Sequence, residues 1–152
     1  MAEIREATRN DVADILKLIK GIATYEKMAD MVEADEATLE HSLFDEKAAY
    51  VLLAEENGSV IGFALYFFNF STFKGKKGLY LEDLFVYPEH RGKGHGKKLF
   101  ERVKQLAKDE RCGRMEWVCL NWNKPAMDFY ARYGAKVLDE WQVLRLNEKD
   151  LT

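Results

Sequence analysis

At 152 residues, with 47% hydrophobic and 32% charged side chains, the chain has the size and composition of one ordinary globular domain spanning 1–152. Its formal net charge of −3 argues against a dedicated nucleic-acid binder, which needs a cationic face to neutralise phosphates. No apolar run approaches the ~20 residues that cross a bilayer, and the N-terminus is charged from Glu3, unlike a signal peptide. A cytoplasmic protein with no membrane and no nucleic-acid partner is expected.

Residues 2–8 alternate weakly and predict a short strand. Asn10 and Asp11 then offer a helix start, and Val12, Ile15, Leu16, Ile19 and Ile22 recur with the spacing of one helical face. The acidic stretch 28–44 predicts a loop and a second short helix beginning near Asp35. Residues 48–70 read as two strands joined at Asn57-Gly58, the strongest short hairpin signal. Residues 78–88 predict another strand, closed by Pro88. A glycine-rich loop follows directly, and then a helix whose apolar face is Leu99, Phe100, Val103, Leu106 and Ala107. Residues 114–123 predict a strand and 124–135 a short helix, with Pro125 in its first turn and Gly134 at its end. Residues 140–147 predict a closing strand. The layout is α/β, a meander of antiparallel strands followed by strand, helix, strand, helix, strand.

Cys112 and Cys119 are the two cysteines and are expected as reduced thiols rather than a disulfide. His41, His90 and His95 have neither H-x-x-x-H spacing nor cysteine neighbours at ligand distance, so no metal site is assigned.

The loop reads EHRGKGHGKKLF, with Gly92, Gly94 and Gly96 among Arg91, Lys93, Lys97 and Lys98. Glycines let N–H groups turn toward a ligand, and the cations mark that ligand as an anion. A P-loop would need glycine where Lys97 stands, five residues after Gly92, and a dinucleotide fingerprint would need glycine at the same place, three after Gly94. What fits is R-x-x-G-x-G, Arg91 to Gly96, between a strand and an amphipathic helix. A helix N-terminus there presents unsatisfied N–H groups and a positive dipole end to a pyrophosphate.

This motif, with YLEDLFVYPEHRG before it and NWNKPAMDFYARYGA after it, resembles the GCN5-related N-acetyltransferases. Within them it is most similar to the branch of spermidine/spermine N1-acetyltransferases and thialysine acetyltransferases, where a YE also follows the first helix. The resemblance covers nearly the whole chain. It implies a mixed central sheet with antiparallel N-terminal strands and a parallel strand pair at the acetyl-CoA site, flanked by helices.

It further implies that acetyl-CoA is the cosubstrate. Arg91, Gly92, Lys93, Gly94, His95, Gly96 and Lys97 would hold its pyrophosphate. Leu84, Phe85 and Val86 would pair with the pantetheine amides as with an added strand, and Asn123, Lys124, Pro125, Ala126 and Tyr130 would complete that site. Lys93, Lys97 and Lys98 either add charge there or are simply solvated.

Acetylating an amine poses two proton problems. An alkylammonium titrates near ~10.4, so freeing its lone pair at pH 7 costs roughly 4–5 kcal/mol. The departing thiolate must also gain a proton, which a weak acid such as a tyrosine can donate. By resemblance Tyr130 is that acid, and Glu82 takes the ammonium proton, directly or through a water. Glu82 and Asp83 are adjacent on a strand, so alternation lets only one of them face a given site; Asp83 is then a supporting carboxylate. Tyr25 and Glu26 match the substrate-binding YE, with Asp30, Glu33, Asp35 and Glu36 as a mostly solvated acidic rim. Glu116, Trp117 and Val118 occupy the strand position that lines the amine pocket in relatives.

Polyamine-acetylating members carry an acid in a YDPW-like segment after the third strand, where this chain reads FNFSTF with Ser71 and Phe73. That departure favours thialysine or another diamino acid over spermidine, although Glu26 and Asp83 could still attract polyamines. A protein or peptide lysine acetyltransferase and a non-enzymatic acetyl-CoA sensor are the alternatives. Relatives in the branch are homodimers that use C-terminal strands, and the apolar alternation of residues 140–146 permits the same here.

Overall fold

The structure, a computed structural model, describes residues 2–152. The chain forms two compact units, one ending at Val118 and the other Cys119–Thr152. The first holds a five-stranded sheet in the order β1 (Glu3–Glu6), β2 (Tyr50–Glu56), β3 (Ser59–Ser71), β4 (Lys76–Val86) and β5 (Met115–Glu116). Neighbours β1 to β4 are antiparallel, and β4 and β5 run parallel. Helices α1 (Val12–Tyr25), α2 (Glu36–Glu40) and α3 (His95–Asp109) complete the unit.

Local chemistry accounts for most boundaries. Asn57 and Gly58 both take positive φ, 52° and 80°, as a two-residue hairpin turn requires. Helix α2 starts where Asp35 accepts the Thr38 N–H at 2.8 Å while the Asp35 N–H donates to the Thr38 hydroxyl at 3.0 Å. Near the start of α1, Asp11 accepts from both terminal guanidinium nitrogens of Arg5, at 2.9 and 3.0 Å, and the Arg5 Nε donates to Glu55 on β2 at 2.7 Å.

Ile15 and Leu18 of α1 pack on Val51, Leu53, Phe63, Leu65 and Phe85, all on one face of the sheet. The alternate residues Leu52, Ala54 and Ala64 are buried on the opposite face, where α3 contacts β2, β3 and β4 and buries Leu99, Phe100 and Val103. Fully burying side chains of this size contributes about 1.5–3 kcal/mol each. On α1 the stripe read from the sequence includes Val12 and Ile15 but not the fully buried Leu18, while its members Leu16, Ile19 and Ile22 are half-buried.

In the second unit α4 (Lys124–Arg132) begins where Asn123 accepts the Ala126 N–H at 3.4 Å, has Pro125 in its first turn, and ends before Gly134 at φ 81°. Phe129 meets Tyr130 and Tyr133 edge to face, with centroids 5.4 and 5.3 Å apart.

Two strand expectations need correcting. Of residues 114–123 only Met115 and Glu116 join the sheet, because β4 offers them only Leu79 and Tyr80 as partners. Residues 140–147 form no strand among the described residues: alternation alone does not make one without a ladder to join, and Trp141, Val143, Leu144 and Leu146 are exposed.

Candidate active site

The centre of the site is an irregularity in β4. Leu81 stands opposite Tyr66 and Asp83 opposite Leu65, so Glu82 is one residue more than β3 can pair. An inserted residue of this kind bends its strand and re-aims side chains. It also breaks the strict alternation assumed from the sequence, so Glu82 and Asp83 are not obliged to face opposite sides. Asp83 shares the α1 face with its partner Leu65, which packs against Ile15 and Leu18.

Three carboxylates gather there. Asp83 is half-buried and pushed up to about 7, first by burial and then by the charges of Glu82 and Glu26. Glu26, the residue that caps the end of α1, is raised in turn by burial and by Glu82. Mutual repulsion among like charges is relieved by a nearby cation, so the cluster favours positive charge beside it. Beyond Leu79 and Tyr80, β5 no longer pairs with β4, and no strand of the sheet covers that edge of Leu84, Phe85 and Val86. The backbone groups there that β3 does not pair suit an extended guest, except the Val86 carbonyl, which accepts from Arg91.

The glycine loop continues directly from β4. Gly92 and Gly94 take φ of 80° and 85°, and a Cβ at either would meet nothing within 4 Å. Gly94 is the residue before α3, whose first amides, those of His95, Gly96 and Lys97, have no intrahelical acceptor. The loop thus carries consecutive donors that the helix leaves without acceptors, a fit for a pyrophosphate.

The loop's cations are not uniformly free. The Arg91 guanidinium donates to the Val86 carbonyl at 2.9 Å and lies over the rings of Tyr25 and Phe85, at 4.7 and 5.3 Å. Its side chain therefore ties the loop to α1 and β4. Lys97 reaches Glu101 at 3.9 Å, whereas His90, Lys93 and His95 converge on Glu56 at the end of β2. Sequence reasoning missed Glu56, which lies 33 residues before Glu89 and in no motif.

Of the remaining candidates in this unit, Glu116 pairs with Arg114 at 3.2 Å, Trp117 packs edge-on against buried Phe100 at 5.3 Å, and Val118 is exposed. Asn123, Lys124, Pro125, Ala126 and Tyr130 lie together on the start and body of α4, where Lys124 reaches Asp128 at 3.4 Å. No three His, Cys, Asp or Glu side chains among the described residues are grouped as metal ligands.

Residues 12–135 match the sequence model of the acetyltransferase (GNAT) family. The chain is 40% identical over 154 residues to the thialysine N-epsilon-acetyltransferase of Bos taurus, covering 93% of this chain and 90% of the relative. It is 31% identical to an L-ornithine N5-acetyltransferase of Arabidopsis thaliana, over 95% of this chain and 84% of that protein. Among solved structures, an integron cassette protein from V. cholerae superposes with a TM-score of 0.82 at 28% identity, covering 99% of this chain and 94% of its own.

Proposed function

The chain belongs to the acetyltransferase (GNAT) family and is an acyltransferase, and we propose that it transfers acetyl from acetyl-CoA directly to the primary amine of a small cationic substrate. Thialysine or a related diamino acid is the favoured substrate, ahead of polyamines. The observation that carries this reading is the surplus residue Glu82 in β4, next to Asp83 and electrostatically coupled with it to Glu26, just before the stretch of β4 that β5 does not pair. The names of the relatives, thialysine and L-ornithine acetyltransferases, point to the same class of amine.

When bound, acetyl-CoA supplies the thioester. Gly92, Gly94 and the first amides of α3 hold the pyrophosphate, and the backbone of Leu84, Phe85 and Val86 pairs with the pantetheine amides. Asn123 to Ala126 complete the binding site. Glu82 accepts the first ammonium proton, directly or through a water, and frees the lone pair that attacks the thioester carbon. As the carbon–nitrogen bond forms and the carbon–sulfur bond breaks, Tyr130 protonates the departing sulfur. The second amine proton restores the phenol, so one proton is released per turnover. Tyr25 and Glu26 orient the distal part of the amine, with Asp83 adding charge.

The experiment is a thiol-release assay with acetyl-CoA against thialysine, lysine, ornithine, spermidine, spermine, an aminoglycoside and a histone-tail peptide. Turnover is expected to be fastest with thialysine or ornithine. Preference for the peptide, or coenzyme A binding with no turnover on any amine, would overturn the reading.

A homodimer is proposed as the working form. The exposed Trp141, Val143, Leu144 and Leu146 give residues 140–147 an apolar surface suited to a second copy. Light scattering on the purified chain tests this: a monomer mass at assay concentration would refute it. A cytoplasmic location, where Cys112 and Cys119 stay reduced, is proposed with it.

A further inference from the structure

Glu56 is the last residue of β2, fixed opposite Ser59 immediately before the tight turn at Asn57-Gly58. Its side chain is only 14% exposed, and His90, Lys93 and His95 of the loop surround it. The His95 Nε2 lies 3.2 Å from one carboxylate oxygen, and the His90 Nδ1 and Lys93 Nζ lie 3.4 and 3.9 Å from the other. The two histidine contacts are short but off hydrogen-bond alignment. His95 itself is 4% exposed, and Glu56 is the acid its ring faces. Burial alone would push the Glu56 carboxyl up, yet Lys93 and His95 draw it below its usual range.

We infer that Glu56 is a positioning residue for the acyl donor: it gathers His90, Lys93 and His95 and so holds the glycine loop in its anion-binding shape. The inference rests on the reading that this loop takes the pyrophosphate of acetyl-CoA. With glycine at 92, 94 and 96 the segment has unusual backbone freedom, and ordering it is costly unless something outside it supplies fixed contacts. Glu56 reaches residues on both sides of Gly92 and Gly94, so it spans the loop rather than touching one end.

The sign of the effect separates this role from simple charge. Near an anion site a carboxylate repels the ligand, so on Coulomb's law alone its neutralisation tightens binding. A positioning role predicts the reverse. Coenzyme A affinity, measured by calorimetry, is expected to fall several-fold in Glu56→Gln and about tenfold in Glu56→Ala. With acetyl-CoA and amine both saturating, kcat is expected to stay within about twofold. Amide hydrogen exchange across residues 92–97 should speed up in Glu56→Gln while the exchange of β2 and β3 is unchanged, a readout independent of turnover. His95→Gln should weaken coenzyme A binding in the wild-type background but by less than about twofold in the Glu56→Gln background, as expected of coupled residues.

Unchanged or tighter coenzyme A binding in Glu56→Gln, with the wild type binding normally, would overturn the inference and leave the proposed function intact. A wild-type protein that binds no coenzyme A would remove the functional reading and the inference together.

Discussion

Asp83 and Leu65 stand directly opposite one another across β3 and β4, although Leu81 already faces Tyr66, and the residue left over between these pairs is Glu82. One surplus residue thus decides how the carboxylates of the site are arranged. Asp83 is the member whose titration reports on it most directly.

Asp83 titrates at about 7 in the folded chain against about 3.9 unfolded, so the native state binds the extra proton between those values. Its contribution is therefore most favourable below about pH 4 and declines as pH rises through about 7. Asp83→Asn should stabilise the protein at pH 8, on the order of 1–3 kcal/mol, and leave it unchanged near pH 4. In the same variant, the part of kcat/KM for the amine that rises with pH around 7 should disappear. Urea unfolding at the two pH values and a pH–rate profile check both halves; equal stability at pH 8 would refute the assignment.

Glu82→Gln and Tyr130→Phe should each lower kcat by about 10²–10⁴-fold, the usual range for a general base or acid. Coenzyme A affinity should survive in both. The Tyr130 variant should respond more to the leaving group than to the amine, so replacing the thioester with a donor whose thiol is more acidic should restore part of its rate. Unchanged turnover in either variant would remove that residue from the chemistry.

Gly94→Ala tests the loop without touching a charge. A Cβ there has open space, but φ of 85° is unfavourable for alanine by about 1–2 kcal/mol. KM for acetyl-CoA is expected to rise roughly 5- to 30-fold with kcat nearly unchanged. A normal KM would show that the loop does not need this conformation to bind.

The pair of Arg5 and Asp11 governs acid stability. Hydrogen bonding to Arg5 lowers Asp11 to about 2, so its contribution is full above about pH 4 and is lost as pH falls toward 2. Allowing for the partial exposure of Arg5, that contribution is on the order of 1–2 kcal/mol. Asp11→Asn should lower stability at pH 6 by about this amount and make no difference near pH 2, as chemical denaturation at both values would show.

Much of this architecture is legible residue by residue. Asn57-Gly58 marks the hairpin, Asp35 the cap of α2, and Leu99, Phe100 and Val103 the buried stripe of α3, because each is a local signal with a local cause. The surplus residue in β4 is not local. It depends on how YLEDLFV registers against β3, and nothing in those seven residues marks Glu82 as unpaired. Glu56 was illegible for a related reason: its partners lie more than 30 residues away, and a glutamate ending a strand is an ordinary surface residue until the loop folds over it. The alternation in residues 140–147 is real, but a strand is completed by the chain beside it, and the sequence does not say which chain that is.

The uncovered edge of β4 also bears on solubility. The backbone groups from Leu84 to Val86 that neither β3 nor Arg91 engages form a template for pairing with the same edge of another copy, which seeds aggregation. Glu82 and Asp83 stand at the entrance to that edge, and two adjacent acids repel their counterparts on an approaching molecule. The carboxylates that attract an ammonium group thereby also act as gatekeepers against self-association. That protection weakens when they are protonated, so mildly acidic storage is where this acetyltransferase should first turn cloudy.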